Sequence, residues 1–460
     1  MPTHREVFRQ LAKSVVLSVA ACAVAACGGS SADTEVFKST DALTALTTAS
    51  VPVRQKLFDH MQDRYLWYSE LPQVDLAAQQ YQNLGVLLDD LRQSPQDRFS
   101  GFVDAQLQQQ RVEQGVSGSF GLRFALRDEA TDGVDIRIAS VEDFSTVADA
   151  GLQRGDRIIA GQGIDINELG YDGFINLFME PGLGVQRSLT VRHPDGQENT
   201  VTIARTEHAL SPVRKATVFT HPQSGRQVGY VLIEEFIRLT SSQLGLFRSE
   251  YSNAGLDDLI IDLRYNGGGL VSASRDLAST IYGQVESDTV YTTLQRNDKY
   301  TDENYTFSFL NFDDAFTTLP RIFVLTTGAT CSASEEVING LSPFIEVITI
   351  GSVSCGKPYA SRGYELIPDV VDVHVLESRS VNANGEGDFY DGFTPTCEAV
   401  DDPLLPFSDP QESLISVALH YAEYGECPVT NVASNRVRNI SSVEPQSASY
   451  PTIGAIYYVD

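Results

Sequence analysis

The chain has 460 residues, a formal net charge of −28, and a composition that is 42% hydrophobic and 20% charged. A chain of this length exceeds one typical hydrophobic core, so we expect two or three domains. The acidic balance argues against nucleic acid or an anionic bilayer as a charge-driven partner, because no basic stripe is available to neutralise phosphates. It is typical instead of a solvated, soluble surface.

The first residues have the pattern of an export signal. Arg5, Arg9 and Lys13 precede an apolar stretch at 15–24. That stretch is too short to span a bilayer as a mature helix, which favours a cleaved leader.

The apolar stretch ends in VAAC, which resembles a bacterial lipobox. The resemblance implies cleavage before Cys27 and acylation of its sulfur, with a signal peptide at 1–26 and a tether at 27–44. Cys22 is a weaker candidate because the flexible GGSS follows Cys27, and a plain secretory signal is the other alternative. Residue 28 is glycine rather than aspartate, so the lipobox resemblance does not suggest retention at the inner membrane. We therefore expect a lipid-anchored protein of the bacterial cell envelope, on the periplasmic side of the outer membrane.

Apolar residues at helical spacing come next. They predict a small N-terminal helical domain at 45–110. The apolar residues of this pattern are Leu57, Met61, Tyr65, Leu84, Leu87, Leu88 and Leu91. The aromatic residues of this segment are interpreted as core.

The segment 112–206 has the pattern of a β-rich domain. Its run AGLQRGDRIIAGQG places a Gly-Asp turn before a short buried strand. This run resembles a PDZ domain. The resemblance implies that FGLRF is a carboxylate-binding loop beside an open sheet edge, where a peptide C-terminus would bind. The loop residues are Phe120, Gly121, Leu122, Arg123 and Phe124. The alternative is a domain that acts only as a lid or spacer.

The third region, 207–430, alternates strands and helices. The runs at 259–263 (LIIDL) and 322–325 (IFVL) are almost continuously apolar, as in strands of a sheet that is covered on both faces. This pattern predicts an α/β domain with functional turns at the carboxyl ends of its strands. The last segment, 431–460, carries no functional prediction.

A Ser-Lys pair is the candidate chemistry. A serine hydroxyl needs a base within hydrogen-bond reach, and a lysine can serve if burial lowers its pKa. Ser332 opens a predicted helix, and Lys357 follows an apolar run at 347–350. Two alternatives stand beside this interpretation: Ser332 and Glu335 fit a capping box, and an isolated lysine is usually a surface charge. A Ser-His-Asp triad also stays open, since triads assemble in space, although no histidine lies near either motif in sequence.

The motifs LIIDLRYNGGG, TCSASEEVINGL and GKP follow the PDZ-like segment. Together they resemble peptidase family S41, the carboxyl-terminal processing or tail-specific proteases. Lys357 lies 25 positions after Ser332, which matches the spacing in that family. The resemblance implies a multidomain α/β protein whose catalytic core is of the ClpP/crotonase type.

The same resemblance implies a mechanism. Ser332 attacks a peptide carbonyl and a neutral Lys357 takes its proton. The oxyanion is held by the backbone amides of Ala333 and of Gly268 or Gly269. No metal or other cofactor is expected.

One position departs from the family pattern. Many S41 members carry a glutamine four residues after the lysine, where it orients the lysine amine, and this chain has Ser361 there. Three possibilities are open: Ser361 substitutes for the glutamine, another group orients Lys357, or the dyad works unaided.

Apart from Cys22 in the leader and the predicted lipidation site Cys27, the chain has four cysteines, and export makes disulfides possible. We favour the pairs Cys331–Cys355 and Cys397–Cys427, with four reduced thiols as the alternative. The absence of a CxxC spacing or a histidine cluster in the sequence argues against a metal.

The sequence therefore predicts a serine endopeptidase of periplasmic protein or peptide substrates, with the PDZ-like domain engaging substrate C-termini. The alternative from another class is a weak or inactive peptide-binding scaffold lipoprotein. An esterase is disfavoured because the chain lacks a GxSxG elbow.

Overall fold

The computed structural model describes residues 39–127, 133–178, 182–283, 286, 288–316, 319–429 and 437–439. The predicted signal peptide, the lipidation site Cys27 and most of the tether and tail lie outside these residues. Within the described part, no helix has the length and apolarity that crossing a membrane requires.

The helices of the described residues are short to medium in length. The α-helices are α1 (Ser39–Thr47), α2 (Val51–Arg64), α3 (Leu84–Leu91), α4 (Ala105–Gln109), α5 (Thr146–Asp149), α6 (Ile166–Asn176), α7 (Arg238–Tyr251), α8 (Val271–Ile281), α9 (Ala333–Leu341) and α10 (Ser413–Tyr424). Single turns of 3-10 or π type lie at Tyr68–Glu70, Gln79–Gln82, Gln110–Gln114 and Thr301–Glu303.

The strands fall into three main sheets and one two-stranded ribbon. They are β1 (Gly101–Asp104), β2 (Val116–Ser119), β3 (Leu122–Arg127), β4 (Asp135–Val141), β5 (Arg157–Gly161), β6 (Ile164–Asp165), β7 (Gln186–Arg192), β8 (Glu198–Ala204), β9 (Thr206–Ala209), β10 (Val213–Thr220), β11 (Gln227–Ile233), β12 (Asp258–Asp262), β13 (Val290–Arg296), β14 (Tyr305–Ser308), β15 (Arg321–Thr326), β16 (Glu346–Gly351), β17 (Tyr359–Ile367), β18 (Val371–Val381), β19 (Cys397–Glu398) and β20 (Val437–Asn439).

The central sheet has the order β10-β11-β12-β15-β16-β19 and is parallel from β11 to β19. Alternate residues of its strands pack to opposite faces. Leu259 and Ile261 face α7, α8 and α9, whereas Ile260 and Phe323 face α10. Burial on both faces explains why these strands are almost continuously apolar. The structure confirms the predicted multidomain α/β class.

A second sheet, β1-β18-β13-β14 with β17 paired to β18, was not expected from the sequence. Its strand β1 comes from the N-terminal region predicted to be helical, and it pairs with β18. Helix α1 begins at Ser39, inside the predicted tether, and Leu46 is buried. The helices α1, α2 and α3 pack on β17 and β18 in one apolar cluster. Short helices bury their apolar face against a sheet because they cannot close a core alone.

The segment predicted to be β-rich forms the third sheet, β3-β4-β5-β7-β8, with β6 paired to β5. Its core includes Phe124, Phe174 and Leu189. Strand β20, from the C-terminal segment, pairs antiparallel with residues 125–127 of β3. The chain's own tail therefore occupies the free edge of this sheet.

Buried charges join this third sheet to the central one. Arg154, from the run AGLQRGD, donates to the Tyr265 hydroxyl at 2.8 Å and to Asp401 at 3.0 Å. Arg264 is fully buried and donates to Asp401 and Glu412. Paired guanidinium and carboxylate groups at this depth fix the docking geometry, because separating them would leave buried charges unpaired.

Candidate active site

Ser332 lies in the turn between β15 and α9. Its backbone has φ 56° and ψ −117°, outside the regions that a non-glycine residue normally adopts. A residue held in such a conformation at a strand-to-helix turn is typical of a nucleophile on a strained elbow. These dihedrals also differ from those of an ordinary N-cap, which is extended. Ser332 is 7% exposed.

The turn of Ser332 is bonded to the turn that follows β12. The Asn266 carbonyl accepts from the Cys331 amide at 3.1 Å and from Ser334 Oγ at 2.9 Å. Strands β12 and β15 are parallel neighbours, so their carboxyl ends meet at one edge of the sheet. This adjacency brings the YNGGG motif against the predicted nucleophile.

The carboxylate of Glu335 connects the serine turn to the lysine segment. Its Oε2 accepts from the amides of Ser332, at 3.0 Å, and Lys357, at 2.8 Å. Its Oε1 accepts from the Gly356 amide at 2.8 Å and from Ser354 Oγ. The two amides that share one oxygen can be no further apart than the sum of those distances. The capping interpretation of Glu335 was therefore incomplete, because this side chain also holds the lysine segment.

Lys357 is 1% exposed, which differs from the usual surface lysine. Its Nζ lies 5.5 Å from the centre of the Phe99 ring. Burial lowers the pKa of Lys357 to about 8, although the charges of Asp97 and Glu335 act in the opposite direction. A lysine with this pKa is partly neutral near physiological pH and can accept a proton.

The N-terminal region supplies part of the lysine's surroundings. Asp97 is 1% exposed and accepts from the Tyr65 hydroxyl at 2.8 Å and from the Ser100 amide at 2.8 Å. Phe99 and Asp97 belong to the QDRFSGF segment, whose contribution to the site the sequence reasoning missed. The available signal is that QDRFSGF resembles a segment of S41 members, but that resemblance does not indicate which side chains approach Lys357.

The predicted oxyanion donors differ in availability. Gly268 has φ +109°, and a Cβ there would lie 3.0 Å from the Ser332 Cβ, so only glycine fits. The Gly268 amide donates to Asn266 Oδ1 at 2.8 Å. By contrast, the amides of Gly269 and Ala333 have no acceptor among the described residues. The pair Ala333 and Gly269 thus fits the predicted role better than Ala333 and Gly268.

Ser361 lies on β17 and is 1% exposed. Its Oγ is 3.4 Å from Nδ1 of His374 on β18. Burial, and secondarily the charge of Lys357, lowers the pKa of His374 to about 3. Nothing in the sequence associates this histidine with the site, because it lies 17 residues beyond the lysine and belongs to neither motif.

The structure pairs Cys331 with Cys355 and Cys397 with Cys427, as favoured from the sequence. The first disulfide joins the residue before Ser332 to the lysine segment. Cys331, Cys355 and Glu335 offer potential ligand atoms within 4.8 Å of one another. The two sulfurs form a disulfide with each other, and the Glu335 carboxylate accepts backbone amides. These three residues therefore act as a structural clamp between the serine turn and the lysine segment.

The predicted carboxylate-binding loop lies at the start of β3. Phe120 and Phe124 pack into the core of their sheet, and the Gly121 amide donates to Ser119 Oγ at 3.0 Å. Leu122 begins β3. Arg123 Nη1 donates to the Tyr265 carbonyl at 3.4 Å, so this loop touches the turn that leads to Gly268.

Comparison with known families agrees with this geometry. Residues 227–399 match the model of peptidase family S41, and residues 53–101 match the peptidase S41 N-terminal domain. The first match contains Ser332, Lys357 and both glycine candidates, whereas the second ends at the segment that supplies Asp97 and Phe99.

Curated relatives include two cyanobacterial proteins and one plant protein. The carboxyl-terminal-processing protease of Picosynechococcus sp. is 28% identical over 221 residues, which cover 48% of this chain and 50% of the relative. That of Synechocystis sp. is 27% identical over 266 residues, 58% of this chain and 59% of the relative. The carboxyl-terminal-processing peptidase 1 of Arabidopsis thaliana is 28% identical, over 54% and 49% of the two chains. The matches thus span about half the length of these relatives.

Among solved structures, an S41 protease from Bacteroides fragilis superposes with a TM-score of 0.63. It is 24% identical and the match covers 79% of this chain and 95% of that one, so the likeness concerns the fold. Beside this likeness in fold, the chain matches the N-terminal and peptidase domain models of peptidase family S41.

Proposed function

We propose that the chain is a serine-type endopeptidase in which Ser332 is the nucleophile and Lys357 the general base. The observation that carries this proposal is the clamp formed by Glu335. One carboxylate oxygen accepts the backbone amides of both residues, and it does so beside a backbone-strained serine and a fully buried lysine. The S41 domain match at 227–399 and the curated processing proteases give independent support.

The steps follow from the donors and acceptors present. Neutral Lys357 takes the hydroxyl proton as Ser332 Oγ attacks the peptide carbonyl. The amides of Ala333 and Gly269 donate to the oxyanion, a contribution worth about 3–4 kcal/mol per donor in comparable sites. Protonated Lys357 then gives its proton to the leaving amine. A water, activated by the again neutral lysine, hydrolyses the acyl-enzyme.

The third sheet supplies the proposed substrate-recognition site. Its PDZ-like sequence run, its edge strand β3, and the pairing of that strand with another segment of the chain support binding of an extended peptide. Substrate C-termini would then be held near the turn at Tyr265, which Arg123 contacts. The substrates are proposed to be proteins or peptides of the bacterial envelope, where the predicted lipid anchor at Cys27 would hold the enzyme.

The test is hydrolysis of casein by the full chain in mild detergent, between pH 6 and 10. We expect cleavage that Ser332→Ala and Lys357→Ala abolish and that Ser242→Ala, an exposed serine on α7, leaves intact. Equal cleavage by wild type and Ser332→Ala would show that the nucleophile is assigned wrongly.

An inert wild-type protein would need a second measurement. Peptides with free C-terminal carboxylates would be added to occupy the third sheet, with amidated peptides as the control. Activation by the free carboxylate alone would support a gated peptidase. No activity with any peptide, together with retained peptide binding, would favour the non-enzymatic scaffold instead.

A further inference from the structure

A buried polar pair lies beside the proposed dyad and is not used by the mechanism above. Ser361 and His374 lie diagonally across the β17–β18 hairpin, with Ser361 Oγ 3.4 Å from His374 Nδ1. Ser361 is 1% exposed and His374 is fully buried. Buried polar groups are costly unless they are paired, so this arrangement restricts how each group can donate and accept.

The second nitrogen of His374 is also occupied. Its Nε2 lies 3.3 Å from Oε1 of Gln108, which belongs to helix α4. The ring lies over Gly363, its register partner on β17, where a Cβ would come within 3.2 Å of Nε2. The side-chain amide of Gln108 therefore holds the ring at Nε2, and the ring fits closely over Gly363 because that residue has no side chain.

His374 is electrostatically coupled to Lys357. Burial and the lysine charge hold the pKa of this histidine at about 3, so the imidazole is neutral at any pH at which the enzyme would work. A neutral imidazole has one donor and one acceptor nitrogen. With Nε2–H donating to the Gln108 carbonyl oxygen, Nδ1 accepts, and the proton between His374 and Ser361 comes from the serine hydroxyl.

We propose that His374 is a positioning residue that makes Ser361 an obligatory hydrogen-bond acceptor for the Lys357 amine. A serine hydroxyl alone could donate to the lysine lone pair and block the base. Once its proton is committed to His374, its oxygen can only accept an N–H of Lys357, and the lone pair is left to face Ser332. A glutamine carbonyl at 361 would do this unaided, because an amide oxygen cannot donate. This inference rests on the proposed function.

The first experiment measures kcat and KM separately for His374→Ala. We expect kcat to fall roughly 10- to 100-fold with KM nearly unchanged, since misplacing a catalytic group typically costs about that much. His374→Asn, whose Oδ1 can still accept from Ser361, should retain most of the activity. The matched control is His60→Ala, a histidine of intermediate burial that stacks on Tyr364 of the same hairpin.

The decisive variant is the double substitution Ser361→Gln with His374→Ala. It exchanges the serine–histidine pair for one amide at nearly conserved volume, so the carbonyl oxygen can reach the lysine directly. We expect kcat to recover at least tenfold above His374→Ala. A folded double variant as slow as the single one, or a His374→Ala variant with wild-type kcat, would overturn the proposal.

A substrate-independent measurement separates this inference from the proposed function. The rate at which a fluorophosphonate labels Ser332 would be followed from pH 6 to 10. In the wild type we expect a rise near the Lys357 pKa of about 8, which burial lowers and which the charges of Asp97 and Glu335 act to raise. In His374→Ala the labelling should slow across the range. Labelling that Ser332→Ala does not abolish would refute the nucleophile, whereas equal labelling of wild type and His374→Ala would refute only the role of His374.

Discussion

The carboxylate of Glu335 accepts the backbone amide of Lys357, 22 residues further along the chain, at 2.8 Å. The oxygen involved also accepts the amide of Ser332 at 3.0 Å. One buried side chain thus sets the separation of the two backbone positions on which the proposed dyad depends. Burial raises the pKa of Glu335, although its four hydrogen-bond donors favour the ionised form.

Glu335→Gln should impair both stability and activity. The side-chain nitrogen of the new glutamine cannot accept a hydrogen bond, so two of the four donors would lose their acceptor. A hydrogen bond to a charged acceptor is worth about 1.5–3 kcal/mol. We expect a lower melting temperature and a kcat roughly 100-fold lower, as the segments of Ser332 and Lys357 shift. Glu336→Gln is the matched control: this neighbouring carboxyl is also buried, with a pKa raised to about 7, and accepts from neither segment. An active, stable Glu335→Gln variant would contradict the clamp.

Lys357→Met should stabilise the protein at neutral pH while abolishing activity. Burial holds the pKa of Lys357 at about 8, below its ordinary 10.5. The folded chain therefore binds fewer protons than the unfolded chain between these values, and stability is lost as pH falls from 10.5 towards 8. Near pH 7 the cost is on the order of 3 kcal/mol.

The check is chemical denaturation at pH 7 and pH 10.5, with Lys299→Met, an exposed lysine, as control. The gain from Lys357→Met should be present at pH 7 and should shrink towards pH 10.5. Equal stability of wild type and Lys357→Met at pH 7 would mean that the lysine is not desolvated.

The two disulfides should differ in their effect on activity. Replacing Cys331 and Cys355 by serine removes a crosslink over 24 residues, and replacing Cys397 and Cys427 removes one over 30. Each loss should cost about 3 kcal/mol in the chain-entropy model, because the loops are of similar length. Only the first pair flanks Ser332 and the lysine segment, so only its loss should also lower kcat. Equal kcat in the two double variants would show that Glu335 alone maintains the site.

Removing the tail should expose the edge of the third sheet. Strand β20 pairs with residues 125–127 of β3, the edge proposed to bind substrate C-termini. A chain that ends at Val429 should therefore bind a labelled C-terminal peptide severalfold more tightly in fluorescence anisotropy. An amidated peptide is the control for carboxylate recognition. Unchanged affinity would indicate that the tail and the peptide do not compete for this edge.

The family resemblance read from the sequence is confirmed by the two S41 domain matches. The predicted strands of the central sheet also lie where the apolar runs predicted them: the run at 259–263 corresponds to β12, Asp258–Asp262. Such strands were predictable because a parallel sheet that is buried on both faces requires nearly continuous apolar residues.

The second sheet was not predictable in the same way. Strands β1 and β18 lie some 270 residues apart in the chain yet pair with each other, and β1 had been assigned to a helical domain. No local pattern records such a pairing, because the register of distant strands is decided by which faces are buried together.

By itself, the sequence determined the candidate chemistry: a serine at a helix start, a lysine 25 residues later, and a glycine turn after a buried strand. Only the tertiary structure decided what surrounds the lysine. Asp97 and Phe99 from the N-terminal region, and His374 from β18, meet at Lys357 through the packing of distant segments. The reason is physical: a motif fixes local backbone and residue type, whereas a pKa depends on burial and neighbouring charge, which arise only when remote elements pack together.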